Sequence, residues 1–198
     1  ALHQFTDTAQ GMRRLTGFDA IADEEGFIVA YPQGIRRGWN SGPGGTPDDV
    51  AILEALAAQL QARYAIDPDR IYATGLSAGG MMSQWLACES ELLAAIAPVA
   101  GTLPTPSADA CARTRPVPAL FIHGTEDSIV PFGGGNAGPA DGFRPAEENA
   151  CLWAAANGCG TAFEVEQLEE AAPDDGTTAT RITYAGCPDA GAVHFYRI

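Results

Sequence analysis

Short apolar runs alternate with amphipathic stretches along the chain. The run GFIVAYP at residues 26–32 is apolar and ends at a proline, which is typical of a buried strand, and the acidic amphipathic stretch before it, residues 18–25, predicts a helix. Residues 47–64 then carry apolar side chains at helical spacing, with two aspartates near the start, where the helix dipole favours them. This part of the chain is therefore predicted to be helix, strand and helix.

The same alternation continues towards the last residue. Strands are predicted at residues 70–74, 93–101 and 117–124, and the helix-period segment AGGMMSQWLACE separates the first two. A stretch rich in glycine and proline, residues 131–145, predicts a loop. After it we expect one helix and three strands, at residues 147–157, 162–170, 180–186 and 192–198. Strands that alternate with helices predict an α/β fold, with a mostly parallel central sheet and helices on both faces.

Composition narrows the possible functions. A chain of 198 residues that is 46% hydrophobic can bury a sizeable core, so we expect one globular domain over residues 1–198. The formal net charge of −14 repels phosphate backbones and anionic membrane surfaces, and no apolar run approaches the roughly 18 residues that span a bilayer. All eleven basic residues are arginine, which excludes a phosphate-loop lysine and Schiff-base chemistry. We expect no nucleic-acid and no membrane partner.

Neither the cysteines nor the acidic pairs predict a metal site. Five cysteines without a C-x-x-C pair are more typical of two disulfides and one free thiol, which points to a secreted protein. The pairs Asp48 with Asp49 and Asp174 with Asp175 lack the spacing of a calcium loop and are predicted to be helix-start or turn charges. We expect no metal and no cofactor.

The segment Gly75-Leu76-Ser77-Ala78-Gly79 fits the pattern G-x-S-x-G. It lies directly between a predicted strand and a predicted helix, which is the position of a nucleophile elbow. Small residues on each side of the serine let strand and helix approach closely. The hydroxyl would project at the carboxyl edge of the sheet, with the backbone N–H of Ala78 at the positive end of the helix as an oxyanion donor. The alternative is a chance match in a loop, because 23 residues are glycine.

A serine nucleophile needs a base and an acid that orients the base. Asp127, in the turn after the strand at 117–124, is the predicted acid in preference to Glu126, and the alternative is a solvated turn residue. His123 is too close in sequence to Asp127 to be oriented by it, and we expect it to pack or hydrogen-bond at the strand end. His3 lies in the first loop. His194 follows the acid but lies in a predicted strand, so it is only a fallback for the base.

The chain resembles the secreted polyhydroxybutyrate depolymerase and feruloyl esterase-like family over nearly its whole length. The resemblance rests on the segments TGFDAIADEEGFIVAYPQG, DRIYATGLSAGGMMSQWLACE, AAIAPVAGTLP, RPVPALFIHGTEDSIVPFGGG and WAAANGC. It implies an α/β-hydrolase in which a Ser-His-Asp triad cleaves carboxylic esters, with Ser77 as nucleophile and Asp127 as acid. In this family the histidine lies in a glycine-rich loop after a strand similar to VHFYRI. We therefore expect the base just beyond Ile198, and early strands before Ala1.

The resemblance also assigns residues around the triad. The family has a Leu-His-Gly loop, and here ALHQFT carries Gln4 in place of the glycine. The second oxyanion donor is predicted to be the backbone N–H of Phe5 or Gln4, beside that of Ala78. Trp39 corresponds to a position near the active-site cleft, where it would stack on an acyl group of the substrate, or else it covers the core.

The cysteine pairing follows in part from the same resemblance. It implies a disulfide between Cys159 and Cys187, and Cys88 with Cys111 is our expectation for the second. Trp153 lies in a helical pattern and is predicted to be in the core.

These features together predict a secreted serine carboxylesterase that acts on a small-molecule or polymeric ester. The substrate would be a hydroxybutyrate polymer, a feruloyl or acetyl-xylan ester, or a short-chain acyl ester. The alternative is a catalytically inactive polysaccharide-binding domain on the same fold. A peptidase is a third and weaker possibility, because no feature of the sequence indicates an amine-binding subsite.

Overall fold

The computed structural model describes residues 1–111, 113–135, 142–170 and 175–198. Asp174 and part of the loop predicted at 131–145 lie outside the described residues. Six strands form one sheet in the order β1-β2-β3-β6-β5-β4. The strands are β1 Tyr72–Leu76, β2 Ala95–Val99, β3 Ala119–His123, β4 Phe163–Gln167, β5 Thr180–Tyr184 and β6 Val193–Arg197. The α-helices are α1 Ala9–Thr16, α2 Phe18–Glu25, α3 Asp49–Gln61, α4 Ala78–Glu89, α5 Thr105–Ala110 and α6 Ala146–Ala156.

The sheet is mostly parallel, as the alternation of strands and helices predicts. Strands β1, β2, β3 and β6 run parallel, with α4 connecting β1 to β2. Strands β4, β5 and β6 follow one another along the chain and pair antiparallel, β4 with β5 and β5 with β6, because antiparallel strands need no long crossover. Leu2 adds a short parallel pairing with Gly75 on the other side of β1.

One face of the sheet carries a row of apolar side chains that are buried under helices. A single row across four strands is formed by Ala73, Ile96, Ala119 and Val193, which the strand registers place side by side. Helix α4 packs on β1 and β2, and α6 packs on β6 and β3. Trp153 of α6 is buried, as predicted, with its ring edge-on to Phe121 at 5.8 Å. The apolar period of two along each strand therefore sets which face receives the helices.

The strand predicted at residues 26–32 is wrong. This segment forms no strand, and Phe27 and Ile28 are 47% and 52% exposed. A strand needs a ladder of backbone bonds along its length, whereas the neighbouring residues 1–3 supply a single bond, from the N-terminal nitrogen of Ala1 to Ala30 O at 2.8 Å. The apolar side chains instead form one wall of an open groove whose other wall is Leu56, Leu60 and Tyr64.

Both expected disulfides are present. Cys88 bonds to Cys111, which connects the end of α4 to the segment after α5, and Cys159 bonds to Cys187, which connects the residues after α6 to those after β5. Cys151 is exposed and has a free thiol. Among the described residues, no helix has the length and apolar character needed to cross a bilayer.

The side chain of Asn157, directly after α6, connects this helix by hydrogen bonds to the residues that precede two central strands. Its side chain is 1% exposed, accepts a hydrogen bond from Val117 N at 3.1 Å, and donates to Val117 O at 2.8 Å and to Gly191 O at 3.1 Å. Val117 precedes β3 and Gly191 precedes β6. One amide side chain thus satisfies three backbone groups that are removed from water.

We predict that Asn157→Ala lowers the free energy of unfolding by about 2–4 kcal/mol, because it leaves buried backbone groups without partners. Urea denaturation followed by circular dichroism measures this change. The control is Gln59→Ala, which removes an exposed amide in α3 and should change stability by less than about 0.5 kcal/mol. Equal effects of the two substitutions would contradict the assignment of Asn157 as a structural connection.

Candidate active site

Ser77 lies in a sharp turn between β1 and α4. Its backbone has φ 54° and ψ −117°, a conformation that few non-glycine residues adopt. The turn is fixed on both sides, since Ser77 N donates to Val99 O at 2.8 Å and Ser77 O accepts from Met81 N at 2.9 Å. Ser77 is half-buried, and its hydroxyl has no hydrogen-bond partner among the described residues. The strand-turn-helix context expected for the G-x-S-x-G segment is therefore present.

The glycines around Ser77 are required by close backbone contacts. A Cβ at Gly79 would lie 2.1 Å from Leu2 O, and a Cβ at Gly75 would lie 2.4 Å from the carbonyl carbon of Gly79. Gly101, in the segment after β2, is equally confined, because its Cβ would lie 2.4 Å from Ser77 O. Three segments of backbone thus meet at the turn, and only residues without a side chain fit there.

A buried network of side-chain amides supports the turn that carries Ser77. Gln84 of α4 is fully buried and donates to Gly101 O at 2.6 Å, and Asn149 of α6 donates to the side-chain oxygen of Gln84 at 3.0 Å. Asn149 also accepts from Leu103 N at 3.4 Å. These contacts fix the segment after β2 against the helix that follows Ser77.

The N–H groups of the two predicted oxyanion donors, Ala78 and Phe5, make no backbone hydrogen bond among the described residues. Ala78 is the first residue of α4, so its N–H has no acceptor within the helix. The N–H of Phe5 has no acceptor among the described residues, and its side chain is 66% exposed. Gln4 is not among the non-glycine residues with positive φ, so its backbone conformation does not require the glycine that the resemblance leads one to expect there.

Asp127 lies in the turn after β3, as expected, with 18% of its side chain exposed. Its Oδ1 accepts from Ile129 N and Val130 N, both at 2.9 Å, which fixes the carboxylate in an Asx-turn. Its Oδ2 lies 3.5 Å from Nε2 of His123, beyond a well-formed hydrogen bond. This oxygen is therefore available to a further donor.

Ser77 and Asp127 share the carboxyl edge of the parallel strands. The registers align Leu76 with Val99 and Val99 with Ile122, so β1, β2 and β3 end at the same level. Ser77 follows β1 and Asp127 follows β3, two strand spacings away, which corresponds to about 10 Å. A side chain from a loop above this edge can contact both residues.

None of the three histidines of the chain is placed as a base for Ser77. His3 is fully buried, with Nδ1 2.8 Å from Gln4 O and Nε2 3.0 Å from Gly34 N. His123 is 3% exposed and its Nε2 is 2.8 Å from Val130 O, which agrees with the expected hydrogen bond at the strand end.

His194 lies inside β6, three strands from β1. It is paired with Leu120 on one side and with Thr183 on the other, whose hydroxyl is 3.1 Å from Nδ1. Three strand spacings amount to about 14 Å before the depth below the sheet edge is added. This position agrees with a strand residue and not with a general base for Ser77.

Trp39 contacts the first loop of the chain. It is half-buried, and its indole N–H donates to His3 O at 2.8 Å while the two rings lie 4.9 Å apart. Part of its ring packs against the main core. Of the two roles considered for Trp39, covering the core is therefore supported by direct contacts.

Of the four aspartates predicted to be helix-start or turn charges, the three that the structure describes have local roles. Asp48 is the N-cap of α3 and accepts from Ala51 N at 3.1 Å. Asp175 accepts from Thr177 N at 2.8 Å. Asp49 is buried, at 3% exposure, and accepts from Asn40 N at 2.7 Å.

Sequence reasoning missed the residues that support the turn and the first loop. Gln84 and Asn149 carry no local signal, because a polar residue in a helical pattern is usually exposed, and their contact joins positions 65 residues apart. Gly101 ends an apolar run and resembles any turn glycine. The contact between Trp39 and His3 also depends on the tertiary fold.

The fold is known from solved structures. Acetyl xylan esterase from Aspergillus awamori superposes with a TM-score of 0.70 over 99% of this chain and 79% of that chain, at 18% sequence identity. At that identity the likeness concerns the fold alone. The chain has the α/β-hydrolase fold.

Sequence comparisons show which kinds of protein the chain is similar to. The prolyl oligopeptidase family model matches residues 40–105, which include Ser77. The chain is 37% identical over 207 residues to NocK of Nocardia uniformis subsp. tsuyamanensis, named as an esterase, and covers 59% of that protein. It is 36% identical over 147 residues to feruloyl esterase B of Piromyces equi, of which it covers 27%. The matches use 96% and 68% of this chain, which spans less than two thirds of both relatives. These matches show that the chain is similar to proteins named as esterases over most of its length.

We predict that Gly79→Ala destabilises the protein by at least about 2 kcal/mol, because the added Cβ overlaps Leu2 O and the first loop must move. In an ordinary helix the same substitution is stabilising by up to about 1 kcal/mol, so the sign of the change is diagnostic. Thermal or urea unfolding measures it. Gly124→Ala is the control, because a Cβ there meets no atom within 4 Å. A neutral Gly79→Ala would show that the close approach is not a constraint.

The pKa of His194 is lowered from 6.5, first by burial and second by the charge of Arg181. The folded protein therefore binds this proton less tightly than the unfolded chain does. Above pH 6.5 the His194 ring is neutral in both the folded and the unfolded protein and does not lower the free energy of unfolding. Stability is lost as the pH falls from 6.5 through the folded-state pKa. We predict that the free energy of unfolding decreases less between pH 7.5 and pH 5 in His194→Gln than in the parent. These two pH values lie about one unit or more on either side of the ordinary histidine pKa of 6.5. Parallel pH dependence in parent and variant would contradict this.

Proposed function

We propose that this protein is a serine carboxylesterase that hydrolyses carboxylic esters through an acyl-enzyme on Ser77. The proposal is carried by one observation: Ser77 has the strained backbone of a strand-to-helix turn, and its hydroxyl is not engaged by another residue of the described chain. Strain of this kind costs about 1–3 kcal/mol and is found mainly where function uses it.

In the proposed reaction, Ser77 Oγ attacks the carbonyl carbon of the ester while a histidine accepts the hydroxyl proton. The negative charge on the carbonyl oxygen is stabilised by the N–H groups of Ala78 and Phe5. The histidine then protonates the leaving alcohol, which departs as the acyl-enzyme forms. Water, activated by the same histidine, attacks the acyl-enzyme, and the carboxylic acid is released with Ser77 restored.

Asp127 orients the histidine through the oxygen that the Asx-turn leaves available. We place the base just beyond Ile198. Ile198 N donates to His123 O at 3.0 Å and Thr125 N donates to Ile198 O at 2.7 Å, so the chain reaches the sheet edge next to the turn that carries Asp127. A histidine in a loop leading on from there could reach Asp127, which follows the neighbouring strand β3.

The names of the relatives support the class of substrate. Feruloyl esterase B of Piromyces equi and the acetyl xylan esterase of Aspergillus awamori are both named for carboxylic esters. We propose a small-molecule or polymeric ester of this kind as substrate, with a hydroxybutyrate polymer and short-chain acyl esters as further members of the panel to be tested. Two disulfides are typical of oxidising compartments, and we propose that the protein acts outside the cell.

We predict that Ser77→Ala lowers kcat/KM of the full-length polypeptide for p-nitrophenyl butyrate by about 10⁴-fold or more, and that Asp127→Asn lowers it by about 10³- to 10⁴-fold. Ser90→Ala, at the far end of α4, and His194→Gln should each leave kcat/KM within about threefold, since neither is part of the proposed machinery. Hydrolysis at the parent rate by Ser77→Ala would refute the proposal.

Two further measurements separate the alternatives. Labelling of the parent but not of Ser77→Ala by a fluorophosphonate indicates an activated serine, whereas an unlabelled parent that binds polysaccharide indicates an inactive binding domain. Matched ester and amide substrates test the peptidase alternative, which the prolyl oligopeptidase match over residues 40–105 makes worth measuring.

A further inference from the structure

We infer that Trp39 and His3 are positioning residues that fix the peptide group between Gln4 and Phe5, so that the Phe5 N–H points to the oxyanion position beside Ser77. The inference rests on the proposed function. It assigns Trp39 a different role from the substrate contact that the resemblance implies.

The first step is the protonation state of His3. Its Nε2 lies 3.0 Å from Gly34 N, and a backbone N–H can only donate, so Nε2 accepts this bond. A neutral imidazole then carries its proton on Nδ1, which donates to Gln4 O at 2.8 Å. The carbonyl of Gln4 is therefore held on the side of the imidazole.

The second step is the geometry of the peptide bond. In a trans peptide, the C=O and the N–H of the same group point in opposite directions. Because the carbonyl of Gln4 points to His3, the Phe5 N–H points away from it. No acceptor for this N–H is found in the part of the chain that the structure describes.

The third step is the location of Ser77 relative to this peptide. Residues 1–3 lie between β1 and Ala30: Leu2 N donates to Thr74 O at 2.8 Å, and the N-terminal nitrogen of Ala1 donates to Ala30 O at 2.8 Å. The His3 ring accepts from Gly34 N at 3.0 Å, and Gly34 belongs to the segment that follows Ala30. The free N–H of Phe5 is thus directed to the side of β1, which ends at Ser77.

Trp39 holds the same loop through its backbone. Its indole N–H donates to His3 O at 2.8 Å, and this carbonyl also lies against Gly79, at 2.8 Å from where a Cβ would be. The neighbouring residue, Asn40, is fixed by the buried carboxylate of Asp49 at 2.7 Å. A continuous set of contacts therefore connects the start of α3 to the loop that carries the oxyanion donor.

The test uses Trp39→Phe in the full-length polypeptide, which keeps an aromatic ring next to His3 and removes the indole N–H together with part of the ring system. We expect kcat for p-nitrophenyl butyrate to fall about tenfold or more with KM unchanged, because loss of one oxyanion donor costs about 10²- to 10³-fold and the substitution only loosens that donor. If Trp39 instead stacks on substrate, KM rises for methyl ferulate, kcat is retained and butyrate is unaffected. That result would overturn the inference.

Trp153→Phe is the matched control. It also removes an indole N–H bonded to a backbone carbonyl, that of Val117 at 2.9 Å, but at the opposite edge of the sheet. Both variants should lower the melting temperature, and only Trp39→Phe should lower kcat at a temperature where both are folded. An equal kcat in the two variants would mean that Trp39 acts on stability alone.

A second pair of variants tests His3. His3→Asn keeps a side-chain donor near the position of Nδ1, whereas His3→Leu removes it. We expect His3→Asn to retain several times more kcat than His3→Leu, with similar KM.

A readout without turnover separates this inference from the proposed function. In the parent, the ¹⁵N order parameter of the Phe5 amide should be near the rigid value of about 0.85, and it should fall in Trp39→Phe but not in Trp153→Phe. A mobile Phe5 in the parent, or an unchanged one in Trp39→Phe, overturns the inference whether or not the protein hydrolyses esters. If Trp39→Phe loosens the Phe5 amide as expected but the protein shows no Ser77-dependent hydrolysis, the proposed function is refuted. The structural role of Trp39 is then still supported.

Discussion

Backbone segments approach each other around Ser77 more closely than any side chain would allow. Gly75, Gly79 and Gly101 each lie where an added Cβ would meet backbone atoms within 2.4 Å. This contact joins the first loop, the end of β1, the start of α4 and the segment after β2 in one place. The orientation of the Ser77 hydroxyl and the position of Phe5 both depend on it.

The strain at Ser77 is offset by the packing of the helix that follows. Helix α4 is buried from Gly79 to Cys88, and Gln84 and Asn149 bond the segment after β2 to it. A fully satisfied polar network inside a core is rigid, because moving one member leaves the others without partners. The turn is thus held by buried contacts on both sides and not by the serine itself.

Some polar groups at the carboxyl edge of the sheet already make hydrogen bonds within the protein, and others have hydrogen-bonding capacity left. One oxygen of Asp127 accepts bonds from its own turn, and the other has no donor closer than His123 Nε2 at 3.5 Å within the described ranges of the chain. His123 and His3 are both committed to backbone groups. Neither of these imidazoles is therefore free to act on Ser77.

Local sequence determined most of the elements. The strands β1 to β6, the helices α2, α3, α4 and α6, and the turn at Ser77 follow from period, glycine placement and capping, which act over a few residues. The resemblance implied the disulfide between Cys159 and Cys187, and the pairing of Cys88 with Cys111 was an expectation that the structure bears out. Tertiary structure decided the rest. Residues 26–32 have strand composition, but pairing is a property of two segments and their neighbour gives one bond. The resemblance assigned Trp39 to the cleft, but only the fold brings its N–H to His3. Gln84 likewise gains its partner, Asn149, from a helix 65 residues away. Such contacts join chain segments that no local pattern relates.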